Sequence, residues 1–90
     1  MAIENTLNER ESRYGSFAGH ASIAQALKQV MHHQNKWLTM NTDQMEALDM
    51  IQHKIARILN GDPDYIDSWH DIAGYATLVE QRLSNDIQLS

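Results

Sequence analysis

The sequence predicts an all-α protein, a compact four-helix bundle formed by one domain of residues 1–90. Apolar residues recur at three- and four-residue steps in four segments, and no segment shows the pattern of a strand. The chain contains only one proline and four glycines, which is typical of a folded, mostly helical domain. Because a chain of 90 residues buries a modest core, we expect oligomerisation to complete the bundle.

The first two helices are separated by Gly15 and Ser16. A weak helix is predicted over about residues 3–14, where a few apolar residues recur every four positions. Ser16 is then a candidate N-cap for a second helix over about residues 17–33. The apolar stripe of that second helix comprises Ile23, Ala26, Leu27, Val30 and Met31.

The third helix carries the strongest apolar period in the chain. It is predicted to begin at Asn41 or Thr42 and to end at Gly61, where the glycine is expected to take a left-handed conformation. Its apolar residues are Leu48, Ile51, Ile55, Ile58 and Leu59. Residues 34–40, which precede it, lack helical phase and predict a loop that turns Trp37 inward.

The fourth helix is predicted to begin at Asp62-Pro63-Asp64, because proline is tolerated in a first helical turn and aspartate caps helices. It is expected to run to about Leu83, with a frayed tail over residues 84–90. Its apolar face comprises Tyr65, Trp69, Ile72, Ala76, Val79 and Leu83. Trp37 and Trp69 are expected to be core or interface anchors, with base stacking as the alternative.

Composition excludes several classes of function. A net charge of −5, spread along the chain, argues against direct nucleic-acid binding. The absence of cysteine excludes disulfides, thiolate nucleophiles and Cys-ligated zinc. No apolar run is long enough to cross a membrane, and no secretory signal is recognisable. We therefore expect a soluble, cytoplasmic protein.

Two polar stripes are candidates for chemistry. One on the third helix comprises Glu46, Asp49, His53, Arg57 and Asn60. One on the fourth comprises Asp67, Asp71, Gly74, Leu78 and Arg82. They are either solvated faces or a ligand site. Like charges one turn apart and a glycine in mid-helix favour a site. Four carboxylates on two antiparallel helices suit Mg²⁺, which would bring phosphate oxygens to Lys54 or Arg57.

Histidines offer a further set of alternatives. His32 and His33 end the second helix and either complement its dipole or bind a metal. His53 stands one turn after Asp49 and is a candidate ligand or orienting group, although no HExxH motif accompanies it.

The acidic motifs resemble those of the MazG-like all-α nucleotide pyrophosphohydrolases. Glu46-Ala-Leu-Asp49 resembles their ExxE motif, with Met45 where a second glutamate is common. The segment 67–75 resembles their second motif, in which an aspartate precedes a tyrosine by four residues, although Ser68 replaces its first acid. Two further segments resemble small phage-encoded proteins related to that superfamily: Arg13-Tyr14-Gly15 with Phe17, and the run 53–61. The likeness covers about residues 9–83.

The resemblance implies a Mg²⁺-dependent nucleotide pyrophosphohydrolase that cleaves an NTP or dNTP to the monophosphate and pyrophosphate. The implied metal ligands are Glu46, Asp49, Asp67 and Asp71. The implied catalytic residues are Glu46, which would orient the attacking water, and Lys54 and Arg57, which would neutralise phosphate charge. The implied nucleotide-binding residues are Tyr14, Lys54, Arg57 and Tyr75.

The resemblance also implies a homo-oligomer, a dimer or a tetramer built from dimers. Met45, Met50 and Leu78 lie outside the main apolar stripes, and a two-fold interface would bury them. A different class of function stays open. A non-catalytic phage protein in the host cytoplasm would bind and inhibit a host protein, or sequester a nucleotide without hydrolysing it.

Overall fold

Four α-helices build the fold of residues 2–89, the part of the chain that the computed structural model describes, with side chains described for residues 3–87. They are α1 (Ala2–Tyr14), α2 (Phe17–His32), α3 (Thr42–Asn60) and α4 (Ile66–Leu89). A short 3₁₀ helix, Trp37–Thr39, lies between α2 and α3. No strand occurs in this described range, and the predicted all-α class is confirmed.

Helix α3 is the centre of the molecule. It packs against α2 on one side and α4 on the other, while α1 touches α2 and α3 more briefly. Its buried residues are Ala47, Gln52 and Ala56, and the small side chains of the two alanines let the neighbouring helices approach closely. The predicted apolar stripe of α3 is only partly covered, since Leu59 is 67% exposed in a single chain.

The starts of α2 and α3 follow local capping rules. The Ser16 hydroxyl accepts a hydrogen bond from the Gly19 amide at 3.1 Å, which confirms Ser16 as the N-cap of α2. At α3, the amide of Asn41 donates to Oε1 of Gln44 at 2.9 Å. These bonds satisfy backbone donors that a helix start would otherwise leave unpaired.

Both predicted ends of α4 are wrong. The Asp62 carboxylate accepts a hydrogen bond from the Asp64 amide at 2.9 Å and holds a turn, so the helix begins only at Ile66. Its other end lies at Leu89, beyond the predicted stop near Leu83, and the expected frayed tail is helical to that residue.

The segment between α2 and α3 is partly as predicted. Residues 37–39 form a 3₁₀ turn where a loop without helical phase was expected. Trp37 is 7% exposed and does turn inward, where its ring lies 4.4 Å from that of His32. Trp69, in contrast, is 54% exposed and is not a core anchor of the single chain.

The turn between α1 and α2 is locked onto the end of α3. The Asn60 side-chain amide donates to the carbonyls of Tyr14, at 2.7 Å, and Ser16, at 2.8 Å. Gly15 has a φ of 76°, and a side chain there would collide with the Asn60 carbonyl. Gly61 has a φ of −136°, so the predicted left-handed conformation is wrong. A side chain at Gly61 would instead strike the carbonyl of Arg13, so close approach is what requires this glycine.

Ion pairs join α3 to α4 along their length. Arg82 donates two hydrogen bonds to the Asp43 carboxylate, at 2.9 and 2.7 Å. Nearer the middle of α3, the Lys54 ammonium lies 3.1 Å from the Asp71 carboxylate. Within residues 2–89, no helix is long and apolar enough to cross a membrane.

Candidate functional site

The polar stripe of α3 faces α2 and the α1–α2 turn, so it is not a simple solvated face. Asp49 accepts a hydrogen bond from Nε2 of His32 at 2.7 Å, and His53 contacts His20 at 3.3 Å. Asn60 makes the bonds to the turn described above. Polar contacts therefore run along much of the α2–α3 interface.

A cleft opens where α1, α2 and α3 meet. The volume of this cleft, the His–Arg cleft, is about 450 Å³. Its chemistry comes from Arg10, Glu11 and Tyr14 of α1, Phe17 and His20 of α2, and His53 and Arg57 of α3. Because the α1–α2 turn is fixed to the end of α3, these three helices hold the lining side chains in one arrangement.

Arg57 and Tyr14 form the cationic and aromatic wall of the cleft. The Arg57 guanidinium lies 4.2 Å from the centre of the Tyr14 ring, within the range of a cation–π contact. Tyr14 in turn meets Tyr65 edge-on at 5.9 Å, and Arg13 lies 4.4 Å over Tyr65. Among the described side chains, no carboxylate pairs with Arg57. Its hydrogen-bond donors are thus available to an anion.

His20 and His53 form an edge-to-face pair at the base of the cleft. Nε2 of His20 and Nδ1 of His53 are 3.3 Å apart, and the ring centres are 4.5 Å apart. Burial, reinforced by Arg57 and Lys28, lowers the pKa of both rings, and that of His53 falls to about 4. Both imidazoles are therefore neutral at pH 7.

One nitrogen of this pair is both buried and without a partner. His20 is 7% exposed, and its Nδ1 is buried without a hydrogen bond among the described residues. Phe17 stacks on the same His20 ring at 6.3 Å between ring centres. Phe17 is itself 82% exposed, which leaves most of its surface open to solvent at the cleft mouth.

The four predicted metal ligands are not brought together in a single chain. Asp49 is engaged by His32, Asp71 by Lys54, and Asp67 accepts a hydrogen bond from the Tyr65 hydroxyl at 2.9 Å. Within residues 3–87, no group of three or more histidine and carboxylate side chains is placed to hold a metal ion. These residues as arranged do not fit a Mg²⁺ site, Glu46 included, and a magnesium ion stays a prediction.

The predicted nucleotide-binding residues divide between two places. Tyr14 and Arg57 meet in the His–Arg cleft, whereas Lys54 is turned toward Asp71 on α4. Tyr75 lines a separate, open hollow of about 370 Å³ beside Asp71 and Gly74. A side chain at Gly74 would meet nothing within 4 Å, so nothing described in the single chain requires a glycine in mid-helix.

Sequence reasoning assigned no site role to four members of the cleft: Arg10, Glu11, Phe17 and His20. A signal for His20 was present in the sequence, because it stands three residues before Ile23 and seven before Leu27, and so continues the predicted apolar stripe of α2. The histidine at the end of α2 behaves more nearly as the sequence predicts. His33 Nδ1 lies 2.6 Å from the Gln29 carbonyl of its own helix, a position that suits the expected complement to the helix dipole.

The fold and the cleft define a small all-α domain with a candidate anion-binding site. By comparison of sequences, the chain belongs to the DUF6378 family, described as a domain of unknown function, whose profile matches residues 1–83. No curated protein and no solved structure matches the chain.

Proposed function

We propose that this domain binds a phosphorylated nucleotide in the His–Arg cleft. The observation that carries the proposal is the Arg57 guanidinium, held over Tyr14 with no carboxylate partner among the described residues. A planar guanidinium matches the oxygens of a phosphate and binds them through two parallel donors. An arginine that is positioned but not neutralised is suited to an anion from outside the chain.

The charge around the cleft supports a phosphate. The whole chain carries −5, yet the cleft holds Arg10 and Arg57 against the single acid Glu11. Lys28 is also close enough to lower the pKa of both histidines. This positive spot is small, and it lies on an acidic protein, which favours a small anion over a long polyanion such as DNA.

The aromatic part of a nucleotide has a surface to pack on. Phe17 stands at the cleft mouth with 82% of its surface exposed, and a solvent-exposed ring is a natural platform for a base. The cleft volume of about 450 Å³ lies within the range of small-molecule sites. A ligand with an aromatic ring at one end and phosphate at the other meets both kinds of side chain.

A titration of nucleoside mono-, di- and triphosphates into the purified protein tests the proposal by calorimetry. Replacing Arg57 by glutamine removes a charged hydrogen bond, and about a 10- to 100-fold loss of affinity is expected. Arg13→Gln is the matched control, because Arg13 makes the same kind of contact with a neighbouring tyrosine outside the cleft. The absence of binding by every nucleotide, or an equal loss in both variants, would refute the proposal.

Hydrolysis of the bound nucleotide is the second candidate function. It is favoured by the resemblance of residues 46–49 and 67–75 to the MazG-like motifs, which lie on α3 and α4, two helices that pack against each other. The carboxylates would have to regroup, within a chain or between copies, before they could bind Mg²⁺. Pyrophosphate release from NTPs and dNTPs in the presence of Mg²⁺ is the test, with Asp71→Asn as the inactive comparison.

We also propose that the chain self-associates, as a dimer or a tetramer. Large apolar side chains are exposed on several helices of the single chain, among them Val30, Leu38, Ile66 and Leu78. Light scattering at micromolar concentration checks this, and a mass of 10.3 kDa would contradict it. The same exposed residues suit the remaining alternative, in which the chain binds a host protein. A chain that is monomeric in solution and binds no nucleotide would support that alternative.

A further inference from the structure

We infer that His53 offers its Nε2–H as an uncharged hydrogen-bond donor to the phosphate of the nucleotide, and that His20 is the positioning residue that fixes this tautomer. The inference rests on the proposed function, and it specifies the ligand group at the base of the His–Arg cleft as an oxyanion. It is carried by the geometry of the two rings and by the unpaired nitrogen of His20.

Two arrangements of protons are compatible with a hydrogen bond between Nε2 of His20 and Nδ1 of His53, which are 3.3 Å apart. In the first, His20 donates from Nε2, its Nδ1 is a bare acceptor, and His53 carries its proton on Nε2. In the second, His53 donates from Nδ1, and His20 carries its proton on the buried Nδ1. Protonating either ring fully would place a charge beside Arg57 in a buried setting.

The burial of His20 decides between the two arrangements. Nδ1 of His20 is buried and has no partner among the described residues. In protein interiors, N–H donors without a partner are rarer than acceptors with an unused lone pair. The first arrangement leaves only an acceptor unpaired at His20. It therefore fixes a proton on Nε2 of His53.

His53 and Arg57 then form two donors on one face of α3. They are four residues apart, so their side chains lie one above the other along the helix, and both line the cleft. One is a neutral imidazole whose acceptor nitrogen, Nδ1, is taken by His20, and the other is a guanidinium, so neither has an acceptor left for a ligand. Adjacent oxygens of a di- or triphosphate provide acceptors for both. A ligand group that must itself donate would find no acceptor between them.

Nitrogen NMR of the histidine side chains tests the tautomers without any ligand. Two-bond ¹H–¹⁵N correlation spectra of the labelled protein at pH 7 are expected to show neutral, Nε2–H forms for both His20 and His53. A His53 that carries its proton on Nδ1, or that is charged at pH 7, would overturn the inference. This measurement stands apart from the nucleotide titrations, so the inference can fail while the proposed function holds.

Pyrophosphate is the probe for the donor itself. Its addition is expected to shift the Nε2 resonance of His53 together with the Nε resonance of Arg57. A shift at Arg57 with none at His53 would overturn the inference while leaving phosphate binding intact. The absence of any pyrophosphate or nucleotide binding would instead refute the proposed function.

Two variants separate positioning from mere packing. His20→Phe keeps an aromatic ring but cannot hydrogen-bond, so His53 is expected to sample both tautomers and pyrophosphate affinity to fall about 3- to 10-fold, the effect of a neutral hydrogen bond. His20→Gln restores a donor to Nδ1 of His53 and is expected to recover the Nε2–H tautomer and most of the affinity. A His20→Phe variant with an unchanged His53 tautomer would contradict the positioning role.

Discussion

The side-chain amide of Asn60 donates a hydrogen bond of 2.7 Å to the carbonyl of Tyr14, and so joins residues 46 positions apart. A second bond, of 2.8 Å, runs from the same nitrogen to the Ser16 carbonyl. Asn60 is thus one of the contacts, beside the bond from the Asp62 amide to the Arg13 carbonyl, through which the end of α3 sets the position of the α1–α2 turn. Tyr14, the aromatic partner of Arg57, is placed in the cleft by it.

Replacing Asn60 by alanine is expected to lower the free energy of unfolding by about 1–3 kcal/mol, because the Tyr14 carbonyl loses its donor and the Ser16 carbonyl keeps only that of the His20 amide. Nucleotide affinity is expected to fall as well, since Tyr14 loses its anchor. Urea unfolding and calorimetry give the two values. Asn35→Ala, in the exposed segment after α2, is the control that should change neither. Equal stability of the two variants would show that the junction contributes little.

Gly15→Ala is expected to destabilise the protein by more than about 1 kcal/mol. Its φ of 76° is strained for any side chain, and a Cβ would collide with the Asn60 carbonyl. Gly74→Ala is the matched comparison, because a Cβ there meets nothing within 4 Å and the residue lies inside a helix. That change is expected to stabilise by about 0.5–1 kcal/mol. Thermal unfolding of both variants checks the opposite signs.

Stability is expected to fall as the pH is lowered from about 6.5 toward 4. The pKa of His53 is about 4 in the folded chain against 6.5 in the unfolded chain, so the unfolded state binds more protons across this window. The stabilising contribution of a neutral His53 is complete above pH 6.5 and is lost progressively below it. His20, whose pKa is lowered for the same reason, adds to the effect.

Urea unfolding at several pH values between 4.5 and 7.5 measures this dependence. His53→Gln is expected to flatten the curve, whereas His70→Gln is expected to leave its slope unchanged, because His70 is exposed on α4 outside the cleft. An identical pH dependence in the wild type and in His53→Gln would contradict the assignment.

The Lys54–Asp71 ion pair is expected to couple α3 to α4 by about 0.5–1 kcal/mol, the range of partly exposed pairs. The Lys54 side chain is 12% exposed and that of Asp71 is 42% exposed, so solvent screens only one end. A double-mutant cycle of Lys54→Gln and Asp71→Asn, followed by chemical unfolding, gives the coupling. Additive effects of the two changes would mean that the pair contributes nothing measurable.

The helices could be predicted from the sequence, because their apolar periods are local properties of the chain. Their ends were predicted less well wherever a distant residue intervenes. The start of α4 is delayed by the Asp62 turn, and Gly61 is required by the approach of Arg13 instead of by a left-handed backbone. A contact between residues 13 and 61 is invisible in either segment taken alone.

The prediction of the candidate site is incomplete for the same reason, because contacts between distant residues cannot be derived from one segment. Helical spacing correctly gathers Asp49, His53 and Arg57 on one face of α3, but it does not say which helix that face meets. Asp49 turns out to be occupied by His32, and His53 by His20, both from α2. Partners such as these decide whether a carboxylate is available to a metal, and only the packing of the helices reveals them.

Because of the contacts around Asn60, the connections between the helices should differ in how well they tolerate inserted residues. Gly15, Gly19 and Gly61 all lie against this junction, so residues inserted at either turn would push apart segments that touch backbone to backbone. Residues 33–36, by contrast, form an exposed connection with only local backbone bonds. A peptide tag or a new pair of chain termini is best introduced there, where the domain can be opened without disturbing its cleft.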